Sequence, residues 1–156
     1  MNKRIAIVSY DADRTRLVEW SYFNRKNLSS HTIIANNATA GVLEGTLNTH
    51  VVHLDVHTFG GYRQLATLID EQQIDILICI GDATPDAVNL AGVQELCKLG
   101  TERGIIVAPN EATANFILHS LPGSVCTHVT GYQSERAVNN DPFAGEDHIE
   151  IEFLAN

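Results

Sequence analysis

Positive charge is scarce in this sequence: 10 Lys and Arg stand against 19 Asp and Glu, a formal net charge of −9. Proteins that grip nucleic acid present basic stripes to the phosphates. None is present, so a nucleic-acid partner is excluded. An anionic small ligand stays compatible with the composition, provided that a local cation or backbone N–H groups overcome the global field. Cysteine is sparse too. Cys79, Cys97 and Cys126 are odd in number and form no C-x-x-C pair, which reads as reduced, buried cysteines rather than a disulfide framework or a catalytic thiol. Long apolar runs are missing. The opening Met-Asn-Lys-Arg-Ile-Ala-Ile-Val is cut short at Tyr10-Asp11, too early for a signal peptide or a membrane span. The expectation is a cytoplasmic protein with no membrane partner. Repeats, low-complexity tracts and linkers are lacking. His50, His53 and His57 do not share one helical face, so no zinc template is present.

What remains is a 156-residue chain, 44% apolar and 19% charged, enough for one domain with its own core. It is organised around Ile-Asp-Ile-Leu-Ile-Cys-Ile-Gly-Asp, residues 74–82. A run this short, apolar and β-branched predicts a strand covered on both faces, as in parallel sheets between helices. Gly81 ends that strand and puts Asp82 at its carboxyl edge, where open α/β sheets hold ligands.

The other elements follow in order. Arg4–Ser9 predicts a first strand, and Asp11 or Asp13 a cap for a helix carrying Leu17, Trp20 and Phe23 to about Arg25. Arg14 at the start of that helix opposes its dipole, so it calls for a carboxylate or a bound anion. His31–Ala35 predicts a second strand, leading through a small, polar turn over residues 36–41 into a helix ending near Leu47. Val51–Leu54 predicts a third strand, followed by the Gly60-Gly61 pair and a helix from about Tyr62 to Glu71. Residues 83–92 read as irregular. Val93, Leu96, Cys97 and Gly100 have helical spacing, and Gly104 stops that helix. Ile105–Ala108 predicts the fifth strand. Asn110 caps a helix with apolar positions Ala114, Phe116, Ile117 and Leu121. Val125–Tyr132 and His148–Leu154 read as edge strands, the latter in an acidic extension.

Strand and helix thus alternate five times, the pattern of a parallel sheet with helices on both faces. The loops at 10–14, 36–41, 57–62 and 81–86 gather on one edge, where helix starts and carboxylates form a pocket. Asn37, Thr39, Ala40, Gly41, Thr58, Gly60 and Gly61 are candidate anion-binding residues there, together with Arg14. Asp11, Asp13, Asp82 and Asp86 could hold Mg²⁺, but helix capping and solvation explain them more simply. No metal and no cofactor is expected.

These stretches resemble the methylglyoxal synthase-like family, whose domains also occur in carbamoyl phosphate synthetase and in the last purine-biosynthesis enzyme. The resemblance covers about Lys3–Tyr132. It is carried by Ile5–Arg14, by Gly60-Gly61 and the helix after it, by Ile74–Asp82, and most specifically by Asn110-Glu111-Ala112-Thr113-Ala114-Asn115-Phe116-Ile117. It implies a single-domain open α/β fold over 1–132, with strand order 3-2-1-4-5, and an acidic extension over 133–156. Asp11 and Asp82 would then flank the crevice between strands one and four.

The family synthase turns dihydroxyacetone phosphate into methylglyoxal and phosphate. A carboxylate base takes a proton beside the carbonyl, a histidine acts at the oxygens, and phosphate leaves. The resemblance carries over Asp11 and Asp82, exchanges a phosphate-binding lysine for Arg14, and keeps Thr39 and Gly41 of a Thr-Gly-Thr-Thr-Gly turn. Tyr62 stands where the family has its base, an aspartate after Gly-Gly. The family's Pro-His-Asp-Pro-Asp falls on Val88-Asn89-Leu90-Ala91-Gly92. The expectation is a homo-oligomeric protein that binds phosphate or a small phosphorylated metabolite without standard synthase chemistry. The alternatives are an active carbon–oxygen lyase with Asp82 or Asp11 as substitute base, and an oligomeric interaction module with a vestigial pocket.

Overall fold

A computed structural model describes residues 1–10, 14–54, 60–81 and 90–124. Strands and helices alternate over them as β1 Arg4–Ser9, α1 Thr15–Phe23, α2 Arg25–Leu28, β2 Thr32–Asn36, α3 Asn37–Leu47, β3 Val52–Leu54, α4 Gly60–Asp70, β4 Ile76–Ile80, α5 Leu90–Glu102, β5 Ile106–Ala108 and α6 Glu111–Ser120. The strands form one sheet in the order β3-β2-β1-β4-β5, every pairing parallel. This is the open α/β sheet that the alternation predicts. The chain divides into two compact units, Met1–Val125 and Cys126–Asn156. The second unit, with the edge strands expected from Val125 onward, lies outside the described residues.

The period-two alternation of β1 sorts its side chains onto two faces. Ile5 and Ile7 join Ile76, Ile78 and Ile80 of β4 in a core with Leu17, Trp20, Leu43 and Leu118, which brings α1, α3 and α6 to one face. Ala6 and Val8 join Leu77 and Cys79 in a second core with Leu65, Ile69, Val93 and Leu96, which brings α4 and α5 to the other. All five residues of β4 are buried, so the central run is apolar because both its faces are covered.

Several boundaries move. Helix α3 begins at Asn37, not after Gly41. Asn36 ends β2 and caps α3, its Oδ1 accepting from the Thr39 N–H at 2.9 Å, so the small polar run is a first helical turn rather than a loop. Gly60 and Gly61 lie within α4, and Leu90–Gly92 within α5, instead of in preceding loops. The first helix is split at Asn24 into α1 and α2. In α6 the inward positions are Ala114 and Leu118, four apart, while Phe116, predicted to face the core, is 75% exposed. Asn110 does cap α6, accepting from the Thr113 N–H at 2.9 Å, and Gly104 follows α5 with a left-handed φ of 71°.

At the amino end of the sheet Asp75 clamps β1 to β4. Its Oδ2 accepts from the Arg4 backbone N–H at 2.8 Å, and its Oδ1 from Arg4 Nη2 at 2.9 Å. These bonds, the side-chain one first, hold the Asp75 carboxyl below its usual range. A carboxylate lowered on folding stabilises the protein above its unfolded pKa of about 3.9 and loses that contribution as pH falls through the lower folded value. Because the pair is largely solvated, the contribution is small. Asp75→Asn is therefore expected to lower the urea midpoint slightly at neutral pH and to match the parent at low pH, which flattens the acid limb of a plot of midpoint against pH.

Candidate functional site

Parallel pairing sends every strand's carboxyl end to one edge of the sheet. β1 lies between β2 and β4, so the chain leaves β1 in one direction and returns beside it from the other. The crevice of such sheets opens at that switch point. Tyr10 closes the edge there: its backbone N–H donates to the Ile80 carbonyl at 3.2 Å, and its hydroxyl to the Gly81 carbonyl at 2.9 Å. Asp11 and Asp82 come next in sequence after these two residues. Both lie outside the described residues, as do Asp13, His57, Thr58 and Asp86.

On the α1/α3 face of this edge, three polar atoms are buried with no hydrogen-bond partner among the described residues: Ser9 Oγ, Arg14 Nη1 and Thr39 Oγ1. Their placement follows from local structure. Ser9 is the last residue of β1 and shares the face of Ile5 and Ile7. Arg14 is the residue just before α1, with no side-chain cap of its own. Thr39 is in the first turn of α3 and wholly buried. Helices α1 and α3 pack beside each other over this face. A buried guanidinium nitrogen or hydroxyl without a partner forfeits its hydration, and a cation at a helix start opposes the dipole. An anion would relieve both. Residue type and position signal Arg14 and Thr39 in the sequence; nothing signals Ser9, since a serine ending a strand is unremarkable by residue type.

The other candidates are placed less uniformly. The first turn of α3 leaves the Asn37 and Ala38 amides without intrahelical acceptors, whereas Ala40 and Gly41, deeper in the helix, belong to its ladder. Ala40 is part of the core, and nothing lies within 4 Å of the position a Gly41 Cβ would take. Gly60 and Gly61 reach the same edge in α4, which covers the opposite face. Asn37 is tied to β3: its Oδ1 lies 3.0 Å from His53 Nδ1, and His53 Nε2 lies 3.1 Å from Glu44 Oε1. Glu44 is held below its usual range by the Val51 backbone N–H first and by His53 second.

Tyr62 sits in the first turn of α4, its ring in contact with Gly92 of α5: a Cβ at Gly92 would lie 3.5 Å from Tyr62 Cδ2. Burial, and then the neighbouring Cys79, push its phenol above the ordinary range. Among the described residues, no group of three or more His, Cys, Asp or Glu side chains is arranged to hold a metal ion, and no helix is long and apolar enough to cross a membrane.

The stretch most specific to the resemblance has a structural explanation. Asn115 Oδ1 accepts from Trp20 Nε1 and from Asn24 Nδ2, both at 2.9 Å. With Arg16 Nε 3.3 Å from Glu111 Oε1, these bonds fasten α6 alongside α1, the helix that Arg14 precedes.

The fold and this edge define an open α/β protein of the kind that takes small ligands at the carboxyl ends of its strands. No family model matches the chain. Individual proteins do. Methylglyoxal synthase of Proteus mirabilis (strain HI4320) is 34% identical over 118 residues, 76% of this chain and 78% of its own length. That of Yersinia enterocolitica serotype O:8 / biotype 1B is 33% identical over 132 residues, 83% of this chain and 87% of its own. The crystal structure of methylglyoxal synthase from Elizabethkingia anophelis NUHP1 superposes with a TM-score of 0.66 at 32% identity, covering 78% of this chain and 79% of that one. The chain belongs to the methylglyoxal synthase-like family.

Proposed function

We propose that this protein binds inorganic phosphate or a small phosphorylated metabolite at the carboxyl edge of the sheet and does not carry out standard synthase chemistry. The observation that supports binding is the set of buried atoms Ser9 Oγ, Arg14 Nη1 and Thr39 Oγ1, which have no hydrogen-bond partner among the described residues. A phosphoryl group offers acceptor oxygens to a guanidinium, to hydroxyls and to the leading amides of α3. Thr58, Ala40, Gly41, Gly60 and Gly61 complete the proposed anion site, and Asp11 and Asp82 are its candidate catalytic carboxylates. We further propose that the protein is cytoplasmic and homo-oligomeric, with the sheet domain ending near residue 132.

Tyr62 opposes the standard chemistry. The family reaction begins by taking a proton beside a carbonyl, and a general base typically contributes ~10²–10⁴-fold. Tyr62 occupies the base's place in the resemblance. Its burial raises a phenol whose ordinary pKa, near 10, already leaves almost no phenolate at neutral pH. The ring is also spent on packing against the second core. The second reading, a working carbon–oxygen lyase, is favoured by the naming of the relatives as synthases.

One experiment separates the two readings. Titration calorimetry with inorganic phosphate and with dihydroxyacetone phosphate is expected to give saturable heat for both, while a phosphate-release assay with dihydroxyacetone phosphate stays at background. Phosphate release that disappears in Asp82→Asn would establish the lyase instead. No heat with either ligand at millimolar concentration would overturn the binding proposal.

A further inference from the structure

The two described cysteines are a pair. Cys79 lies in the middle of the sheet on β4 and is wholly buried; Cys97 lies on α5, half-buried at the surface side of the same core. Their sulfurs are 3.6 Å apart, although 18 positions separate them in sequence. Strand and helix therefore hold two thiols in van der Waals contact in a part of the fold where neither residue can drift away. Sequence spacing hid the pair, because it is not C-x-x-C and joins two different elements.

We propose that Cys79 and Cys97 form an oxidisable dithiol whose oxidant is a hydroperoxide and whose product is a disulfide tying α5 to β4. Its environment is asymmetric in the way such a reaction needs. Either thiol can donate across this contact; the shared hydrogen bond, and then burial, push the Cys79 thiol up, while the same bond lowers that of Cys97. The less buried partner is thus the nucleophile, and the wholly buried one the resolving thiol. In the first step Cys97 Sγ attacks one peroxide oxygen, the O–O bond breaks, and the leaving hydroxide, or the alkoxide of an organic hydroperoxide, takes up a proton to become water or an alcohol. Cys97 is left as a sulfenic acid. In the second step Cys79 Sγ attacks the Cys97 sulfur, the S–O bond breaks, and the Cys79 proton leaves with that oxygen as water. Two thiols are oxidised by two electrons and one peroxide is reduced. Closing from contact distance to a bonded pair takes a movement of about 1.5 Å, within reach of a helix packed on a sheet.

The site abuts the ligand edge. Cys79 is two residues before Gly81, and the Tyr62 ring, packed on Gly92 of α5, neighbours Cys79. A bridge would fix α5, and with it Gly92, against the strand that leads to Asp82. This proposal does not depend on the phosphate-binding reading and is tested without any ligand.

The test uses the full chain with Cys126→Ser, so that only the pair can react. The folded protein is treated with hydrogen peroxide, unreacted thiols are blocked, and the protein is cut at Asp82 and Asp86, which separates the two cysteines unless they are bridged. The expected result is a single joined fragment, lighter by two hydrogens than the sum of its parts and split by a thiol reductant. The oxidised form should also show a higher urea midpoint, reverting on reduction and absent in Cys97→Ala. Three results would overturn the proposal: Cys97 carried to sulfinic acid with Cys79 still a blockable thiol, no reaction of the folded chain, or a bridge that forms only in urea.

Discussion

Arg14→Ala raises the dissociation constant for inorganic phosphate by about 30-fold or more, the ~2 kcal/mol or larger loss typical when one member of a desolvated charge pair is truncated. That is the expected result of calorimetry on the variant, and its physical basis is the position of Nη1, buried without an acceptor among the described residues. The same substitution removes a buried donor with nothing to pair it and a cation that opposes the dipole of α1. The ligand-free variant should therefore be no less stable than the parent, and its urea midpoint level or slightly raised. Weaker binding together with undiminished stability is the signature of a residue held in place for a ligand. A fall in stability without a change in affinity would mark Arg14 as structural. Arg14→Lys keeps the charge but loses the planar fork, and should fall between the two.

The second large effect is on stability. Asn115→Ala removes the oxygen that accepts from both Trp20 Nε1 and Asn24 Nδ2; the indole N–H is stranded, while Asn24 Nδ2 keeps its bond to the Trp20 carbonyl at 3.0 Å. A donor stranded in this way costs about 1–3 kcal/mol, so the variant is expected to lose at least about that much, read as a drop in urea midpoint with unchanged slope. Asn115→Asp retains an acceptor for both bonds and should recover most of the loss. Combining Asn115→Ala with Trp20→Phe should cost less than the sum of the two, because the second change removes a donor the first has already orphaned.

Much of the architecture was legible because it rests on periodicity. Ile76–Ile80 is buried on both faces and reads as an unbroken apolar run, and Ile5, Ile7 against Ala6, Val8 divides between two cores as a period of two requires. Helix starts were harder. Asn36 and the small residues after it carry the composition of a turn, and only the bond from the Thr39 N–H to Asn36 Oδ1 shows that the helix has already begun. Glycine at 60 and 61 misled in the same way, since the first helical residues need no intrahelical acceptor and tolerate glycine there. Least legible were contacts that join distant segments. Nothing local to Asn115 announces Trp20, and nothing local to Cys97 announces Cys79. Of the candidate site, the type and approximate place of Arg14 and Thr39 followed from sequence, but the orphaned state of their polar atoms is a property of packing.

Trp20 is the chain's single tryptophan. It is 4% exposed, its indole fastened to α6, on the helix that starts one residue after Arg14. Its fluorescence therefore has one source, lodged in the seam between two helices of one sheet face. A red shift in that emission reports the seam opening before the whole chain need unravel. A change in intensity on adding phosphate reports the neighbouring edge, with no label attached.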